Sequence, residues 1–386
     1  MLSSLYISKI SIYQYIIRIS LFLRRRKNKY KGWLNMGKLL EVTQTFNETE
    51  FWNDSCSYDE LKEAIKNGAS GATTNPVIVL NVLKKELPKW DETIKEIVAE
   101  NPTATEDEIA WMVIKLLGKD AGSLLYPQFK ESNGQRGRIS FQTNAKFYKN
   151  KEKMVAHALE LSNVIENSQI KIPASKAGIE AFEELTYLGV SINATVSFTC
   201  PQAIAVAEAV ERGLNRRVKE GLPIDHMHPV CTIMVGRLDD YLKAYVQDNN
   251  IDINPEFLDL AGVLTCKNAY KLYKKRGYRT KLLVAAFRNN YHFTEFIGGD
   301  IVLTITTKYQ NIFNELDIEV ANYMDKDLSP EILEELLRLE EFRKAYYEDG
   351  LKPEEFEHYG AFLRTMNQFL NGYDDLVKII RSYIVK

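Results

Sequence analysis

The sequence predicts an α/β protein, a (β/α)8 TIM barrel with additional helices, including a C-terminal helical extension. Two observations carry the prediction. From about residue 50 onward, short runs rich in Val, Ile and Thr alternate with longer stretches whose apolar residues recur at helical spacing. Eight such runs occur, the number that closes a parallel sheet on itself. A doubly wound open sheet is the competing arrangement.

The first strand is the weakest, "FWNDS" around Asp54. "GATTNPVIV" from Gly71, "GRISFQTN" from Gly137, "QIKIPAS" from Gln169 and "VSINATVSF" from Val190 follow, and "HPVCTIMVGR" from His228, "KLLVAAFR" from Lys281 and "DIVLTIT" from Asp300 complete the set. Helices between them have readable starts. Ser57 to Glu60 and Thr105 to Glu108 are S/T-x-x-E patterns, in which side chains satisfy the free N–H groups of a first turn. Residues 151–166 place Met154, Ala158, Leu161 and Val164 on one face, and 175–189 do the same with Ile179, Phe182 and Leu185 before Gly189. Strands 169–174 and 190–198 therefore bracket a helix and run parallel. Extra helices are expected over about 88–125, after Ser329-Pro330 (N-cap and N1), and as an amphipathic pair at the C-terminus.

Composition is that of an ordinary globular chain, 45% hydrophobic and 26% charged. A net charge of −2 gives no global pull toward nucleic acid or an anionic membrane. Four cysteines, Cys56, Cys200, Cys231 and Cys266, are scattered without a CxxC pair, the usage of a reducing, cytoplasmic setting. His226 and His228 form a close pair in a loop, without the second ligand cluster a metal needs. Residues 1–35 are apolar and then strongly basic. Their uncharged stretch Ile10–Ile17 falls short of the roughly 18 residues of a membrane span. They are expected to be a non-native or disordered extension ahead of Met36 as working start, with 36–386 forming one domain.

Polar residues at the C-terminal ends of the strands are the candidates for chemistry, because that is where such barrels work. They are Asp54, Thr73, Asn75, Gln142, Lys171, Asn193, Thr195, Thr232, Arg237 and Arg288. A period of two sends Ile170 and Ile172 toward the helices and Lys171 into the barrel. There the lysine cannot reach solvent sideways, and desolvation lowers its pKa from about 10.4. A neutral amine attacks carbonyls and forms Schiff bases. Thr73 with Asn75, and Asn193 with Thr195, offer uncharged hydrogen-bonding groups suited to a polyhydroxylated ligand. Asp54 is the candidate general base, and Arg237 with Arg288 suit a phosphate.

The motifs "GATTNP", "GRISFQTNA", "IKIPASKAGIEAFEEL", "INATVSF", "IMVGR" and "AAFRN", in this order, resemble the transaldolase family from about Phe51 to Thr307. That resemblance implies a class I aldolase-type barrel moving a dihydroxyacetone unit from a ketose phosphate, sedoheptulose 7-phosphate or fructose 6-phosphate, to an aldose phosphate in the pentose phosphate pathway. It implies Lys171 as the Schiff-base lysine and Asp54 as the base at the cleaved bond. Asn75 and Asn193 would hold the dihydroxyacetone hydroxyls, Thr195 a catalytic water, and Arg237 and Arg288 the phosphate. No metal and no organic cofactor is implied, and the expected partners are sugar phosphates, with no nucleic acid and no membrane. The sequence leaves homo-oligomerisation open.

Three positions depart from the pattern. The family's water-activating carboxylate on the third strand falls on Gln142, as in the fructose-6-phosphate aldolase branch, whose tyrosine partner is here Met234. A phosphate-site serine falls on Ala286. A direct aldolase and a barrel that binds sugar phosphates without turnover are therefore the alternatives.

Overall fold

The computed structural model describes residues 37–385, so the extension expected over 1–35 and the start at Met36 lie outside the described residues. Eight parallel strands close into a barrel in sequence order: β1 Thr49–Asn53, β2 Ala69–Thr73, β3 Arg138–Gln142, β4 Ser168–Pro173, β5 Ile192–Thr195, β6 Val230–Ile233, β7 Lys281–Val284 and β8 Ile301–Ile305. The seam is a five-residue parallel register from Thr49 opposite Ile301 to Asn53 opposite Ile305. Helices cover the outside, and the main core lies between them and the strands, where Ile170, Ile172, Ile192 and Ala194 are fully buried. The weak first strand forms, and it carries Asp54 just beyond its end.

Several helices differ from the sequence expectation. The run from Gly71 is a strand only to Thr73. Asn75 Oδ1 accepts the N–H groups of Val77 and Ile78, Pro76 takes the first helical position, and "VIV" enters the helix Pro76–Glu100. That helix, which starts earlier than expected, and Glu106–Ser123 are the extra helices over 88–125, divided where Thr105 and Glu108 form a reciprocal capping box. Helix 151–166 stops at Ser162, capped by Asn163. The segment after Ser329 breaks into Pro330–Leu336 and Glu340–Tyr346. The C-terminal pair is instead a 3-10 turn, Pro353–His358, and one 25-residue helix, Gly360–Ile384. Gly372 does not end that helix. It permits close approach, since a Cβ there would lie 2.8 Å from Val77 Cγ2.

The C-terminal helix crosses the mouth of the barrel. Thr365, Gln368 and Phe369 meet Arg237 at the top of β6, and Gly372 meets Val77 at the top of β2. Strands 2 and 6 face each other across an eight-stranded barrel, and residues 365–372 span about 10 Å of helix. The four cysteines are free and buried. Among the described residues no helix is long and apolar enough to cross a membrane, and no three His, Cys, Asp or Glu side chains cluster as metal ligands.

Inside the barrel, Trp52, Val230, Leu283, Ala285 and Val302 form an apolar layer. Gly71 has no side chain because the Trp52 ring occupies its place; a Cβ would sit 2.6 Å from the indole. Below this layer a polar plug closes the N-terminal end. Glu50 accepts from Lys281 Nζ at 2.8 Å, Ser70 Oγ at 2.9 Å and Trp52 Nε1 at 3.2 Å, and Lys281 also meets Asp300 at 3.0 Å. Burial would raise the Glu50 carboxyl, but His228 and Lys281 outweigh it and hold it at about 2. Burial pushes His228 down to about 4, so at neutral pH Lys281 is the charged partner.

A carboxyl depressed on folding stabilises above its unfolded pKa of 4.5 and loses that contribution as pH falls toward about 2. Replacing Glu50 by Gln leaves Lys281 short of a buried counter-charge. Glu50→Gln is therefore expected to cost about 3 kcal/mol and to flatten the acid limb of the stability curve. Urea denaturation from pH 2 to 7 checks this; an unchanged curve would remove the plug from the account of stability.

Candidate active site

The strand ends bring most of the predicted residues together. Gln142, Lys171 and Asn193 stand in register on three adjacent strands, and Thr195 stands opposite Pro173 one step further along. Thr73, Asn75, Gln142, Lys171, Asn193, Thr195 and Thr232 are all buried. Asp54 is half-buried beyond β1, with its N–H donating to Ile305 O at 3.1 Å.

Lys171 is 2% exposed, and its Nζ donates to a single acceptor, Thr74 O, at 3.3 Å. Burial lowers the ammonium to about 8; Asp54 opposes that shift and Arg237 adds to it. Asp54 moves the other way. Burial raises its carboxyl, while Lys171, a hydrogen bond from Thr73 and Arg237 hold it back. Among the described residues Lys171 makes no direct ion pair, so the carboxylate acts across a gap.

Hydrogen bonds sort the uncharged groups into those already engaged and those left open. Thr73 Oγ1 donates to Asp54 Oδ1 at 2.7 Å and lies 2.5 Å from Thr304 Oγ1, so it orients Asp54. Thr232 donates to Asn193 Oδ1 at 2.7 Å, and Asn193 Nδ2 donates to Ser140 Oγ at 3.1 Å. Thr232 therefore orients Asn193. The Asn75 oxygen caps its helix, leaving the amide N–H groups. By contrast, both polar atoms of Gln142 and the Thr195 hydroxyl are buried without a partner. Buried polar groups seldom remain unpaired in a resting protein. Three such atoms at the ends of the strands flanking Lys171 suit an oxygen-rich ligand or water.

The two arginines lie close enough to repel. Burial and Arg288 together lower Arg237 to about 10, still protonated at neutral pH. Arg237 is clamped by the C-terminal helix through Gln368 and Thr365, with Phe369 under its guanidinium at 5.5 Å, and its Nε is unpartnered. Arg288 is exposed and engaged, pairing with Asp240 at 2.8 Å. Met234 is buried at the start of the helix Val235–Asp248 and offers no exchangeable proton. His226 and His228 separate, the latter into the barrel plug.

Four contributors escaped the sequence reading: Thr74, through its carbonyl, Ser140, Thr304 and the C-terminal helix. Ser140 and Thr304 sit on barrel strands at the inward parity, and that alternation was the available signal. Nothing in the sequence placed residues 365–369 over Arg237.

The family model described as Transaldolase/Fructose-6-phosphate aldolase matches residues 51–356. Curated relatives include Transaldolase 2 of Streptomyces avermitilis, 29% identical over 206 residues, covering 53% of this chain and 55% of that protein. Transaldolase of Thiobacillus denitrificans is 28% identical over 230 residues, 58% of this chain and 63% of that one. Transaldolase of Mycobacterium tuberculosis is 28% identical over 239 residues, 58% and 61% respectively. The match thus spans little more than half the length of these curated relatives.

The lysine's environment has a stability consequence. Below about pH 8 folded and unfolded chains both carry the Lys171 proton, and the folded state bears the full cost of holding it. Between about 8 and the ordinary 10.5 the folded chain releases it first, so the cost fades as pH rises. Lys171→Met should therefore be stabilising by about 1–3 kcal/mol at pH 7, with the gain shrinking toward pH 10.5. Guanidinium denaturation of both proteins at pH 7 and 10 decides it; a variant no more stable at pH 7 contradicts the buried-charge account.

Proposed function

This chain belongs to the transaldolase/fructose-6-phosphate aldolase family, and we propose that it moves a dihydroxyacetone unit from a ketose phosphate to an aldose phosphate through a Schiff base on Lys171. The observation that carries this reading is a lysine 2% exposed, free of any direct ion pair among the described residues, and lowered to about 8. At neutral pH a useful fraction of such amine is unprotonated.

The Lys171 amine adds to the ketose carbonyl, and loss of water gives an iminium, an electron sink. Asp54 takes the proton from the hydroxyl on the carbon beyond the bond to be broken. That bond then breaks, the aldose leaves, and its electron pair remains on the donor fragment as an enamine. An incoming aldose accepts that carbon, and water releases the new ketose from Lys171. Asn193 and the Asn75 amide hold the donor hydroxyls, while Gln142 and Thr195 hold the water. Arg237 and Arg288 grip the phosphate, which requires Arg288 to share or leave Asp240. The setting fits pentose phosphate metabolism in the cytoplasm, with sugar phosphates as substrates.

A direct aldolase is the second reading, and Gln142 is the observation that favours it. An amide orients a water but cannot take its proton, so release of the donor fragment falls to Asp54 alone. Treatment with fructose 6-phosphate and borohydride should leave a reduced adduct on Lys171, located by peptide mass, and cleavage should require erythrose 4-phosphate. An adduct absent from Lys171 sinks the mechanism, and cleavage without acceptor selects the aldolase.

Gln142→Glu places a carboxylate in register beside the lysine. It should move the midpoint of the pH dependence of borohydride trapping upward by about one pH unit. An unshifted midpoint would mean that position 142 does not face the amine.

A further inference from the structure

At the end of the barrel opposite Lys171, a cavity of about 480 Å³ opens among the loops leading into β3 to β6. Arg138 stands in its wall, 3% exposed. Its guanidinium donates to three carbonyls, Gly134 O at 2.8 Å, Ser168 O at 3.0 Å and His226 O at 2.6 Å, and lies over the Phe129 ring. Two of its five N–H groups remain, and among the described residues no carboxylate pairs with it. Burial alone lowers it, to about 10, so it keeps its charge.

Arg217 repeats the arrangement behind Gly189 of the same wall. It is 7% exposed and, among the described residues, bonded only to Tyr187 O at 2.8 Å and Pro223 O at 2.8 and 3.1 Å. Outside the candidate active site, where Lys171 also meets only a carbonyl, the buried Lys267 and the part-buried Lys281 are handled differently. Lys281 has Glu50 and Asp300, and Lys267 has Glu295 at 2.7 Å. Two buried guanidiniums that meet only neutral carbonyls leave positive charge uncompensated, which is costly unless an anion completes it. The nearby carboxylates do not serve. Glu166, on the cavity rim, is taken by Lys130 and Tyr126, and Asp225 is exposed. Ser191, also in the wall, accepts from His228 N–H through its Oγ, so its own proton is free to donate.

We propose that this cavity is a second anion site, taking a phosphate dianion, free or carried on a small metabolite, through Arg138 with Arg217 behind it. The remaining guanidinium N–H groups suit phosphate oxygens, and the volume holds a small phosphorylated molecule. The site is separate from the aldol chemistry, so the two readings stand or fall independently.

The experiment is calorimetric titration of inorganic phosphate, and separately fructose 6-phosphate, into the Lys171→Met/Arg237→Ala/Arg288→Ala protein, in which the opposite end is silenced. Saturable one-to-one binding is expected. Adding Asn163→Glu, at an exposed cavity residue, should weaken it roughly tenfold by like-charge repulsion, and Arg138→Met should abolish it. If Arg138→Met does not fold, Asn163→Glu decides alone. Tighter fructose 6-phosphate assigns the site to a metabolite ester, and tighter inorganic phosphate to the free ion. Absence of saturable binding for both probes, or binding indifferent to Asn163→Glu, overturns the proposal.

Discussion

Two lysines stand inside this barrel, Lys171 buried and Lys281 part-buried, and their opposite electrostatics set out how the site works. Lys281 touches Glu50 at 2.8 Å and Asp300 at 3.0 Å, and those contacts overcome burial and raise its pKa. Lys171 has one backbone carbonyl at 3.3 Å and a carboxylate that acts only across a gap, and burial wins. The same side chain is a stabilised cation at one end and an amine shifted toward its neutral form at the other. The difference is direct carboxylate contact. Everything near Lys171 respects it: Thr73 and Thr304 hold Asp54, and the groups in register with the lysine are uncharged amides.

Holding that arrangement requires backbone that does not relax. Val196, directly after Thr195, has φ 51°, and Ala286, ahead of Arg288, has φ 67°. A β-branched residue in the left-handed region is costly and persists only where its surroundings dictate it. Behind Arg288, a fully buried Asp239–His292 pair at 2.8 Å ties the segment down. His292 Nδ1 accepts the Arg288 N–H, and Asp239 accepts from Gly262 N. From above, the C-terminal helix holds Arg237. The Arg237–Arg288 end of the site is thus fixed by strain, a buried pair and a helix from the C-terminal part of the chain.

What the sequence revealed follows from the range of the physics involved. Alternation and capping are local, and they gave the barrel, its eight strands, and the inward parity of Lys171, Asn193 and Thr195. Helix ends were less legible where an Asn cap, as at Asn75, competes with an apolar run that looks like strand. Gly372 illustrates the limit from the other side. Read locally it suggests a break between two helices, and only the neighbouring Val77 explains its place inside one. The partners of Thr73 and Thr232 were equally out of reach of local reading. Each has one hydroxyl proton, and a residue on another strand, Asp54 or Asn193, takes it.

Gln142 is best understood through the lysine beside it. A carboxylate in that register would deprotonate water readily, yet it would also favour the ammonium form of Lys171, as Glu50 does for Lys281. One position cannot both supply a strong base and leave the amine neutral without a further group to separate the two effects. An amide gives up the base and keeps the nucleophile. With Asp54 raised by burial and held by Thr73, a single carboxylate among the described residues would serve every proton transfer of the proposed mechanism. On the proposed mechanism, formation of the Schiff base is favoured by this architecture, and its hydrolysis, which would need an activated water near Gln142 and Thr195, is the demanding step.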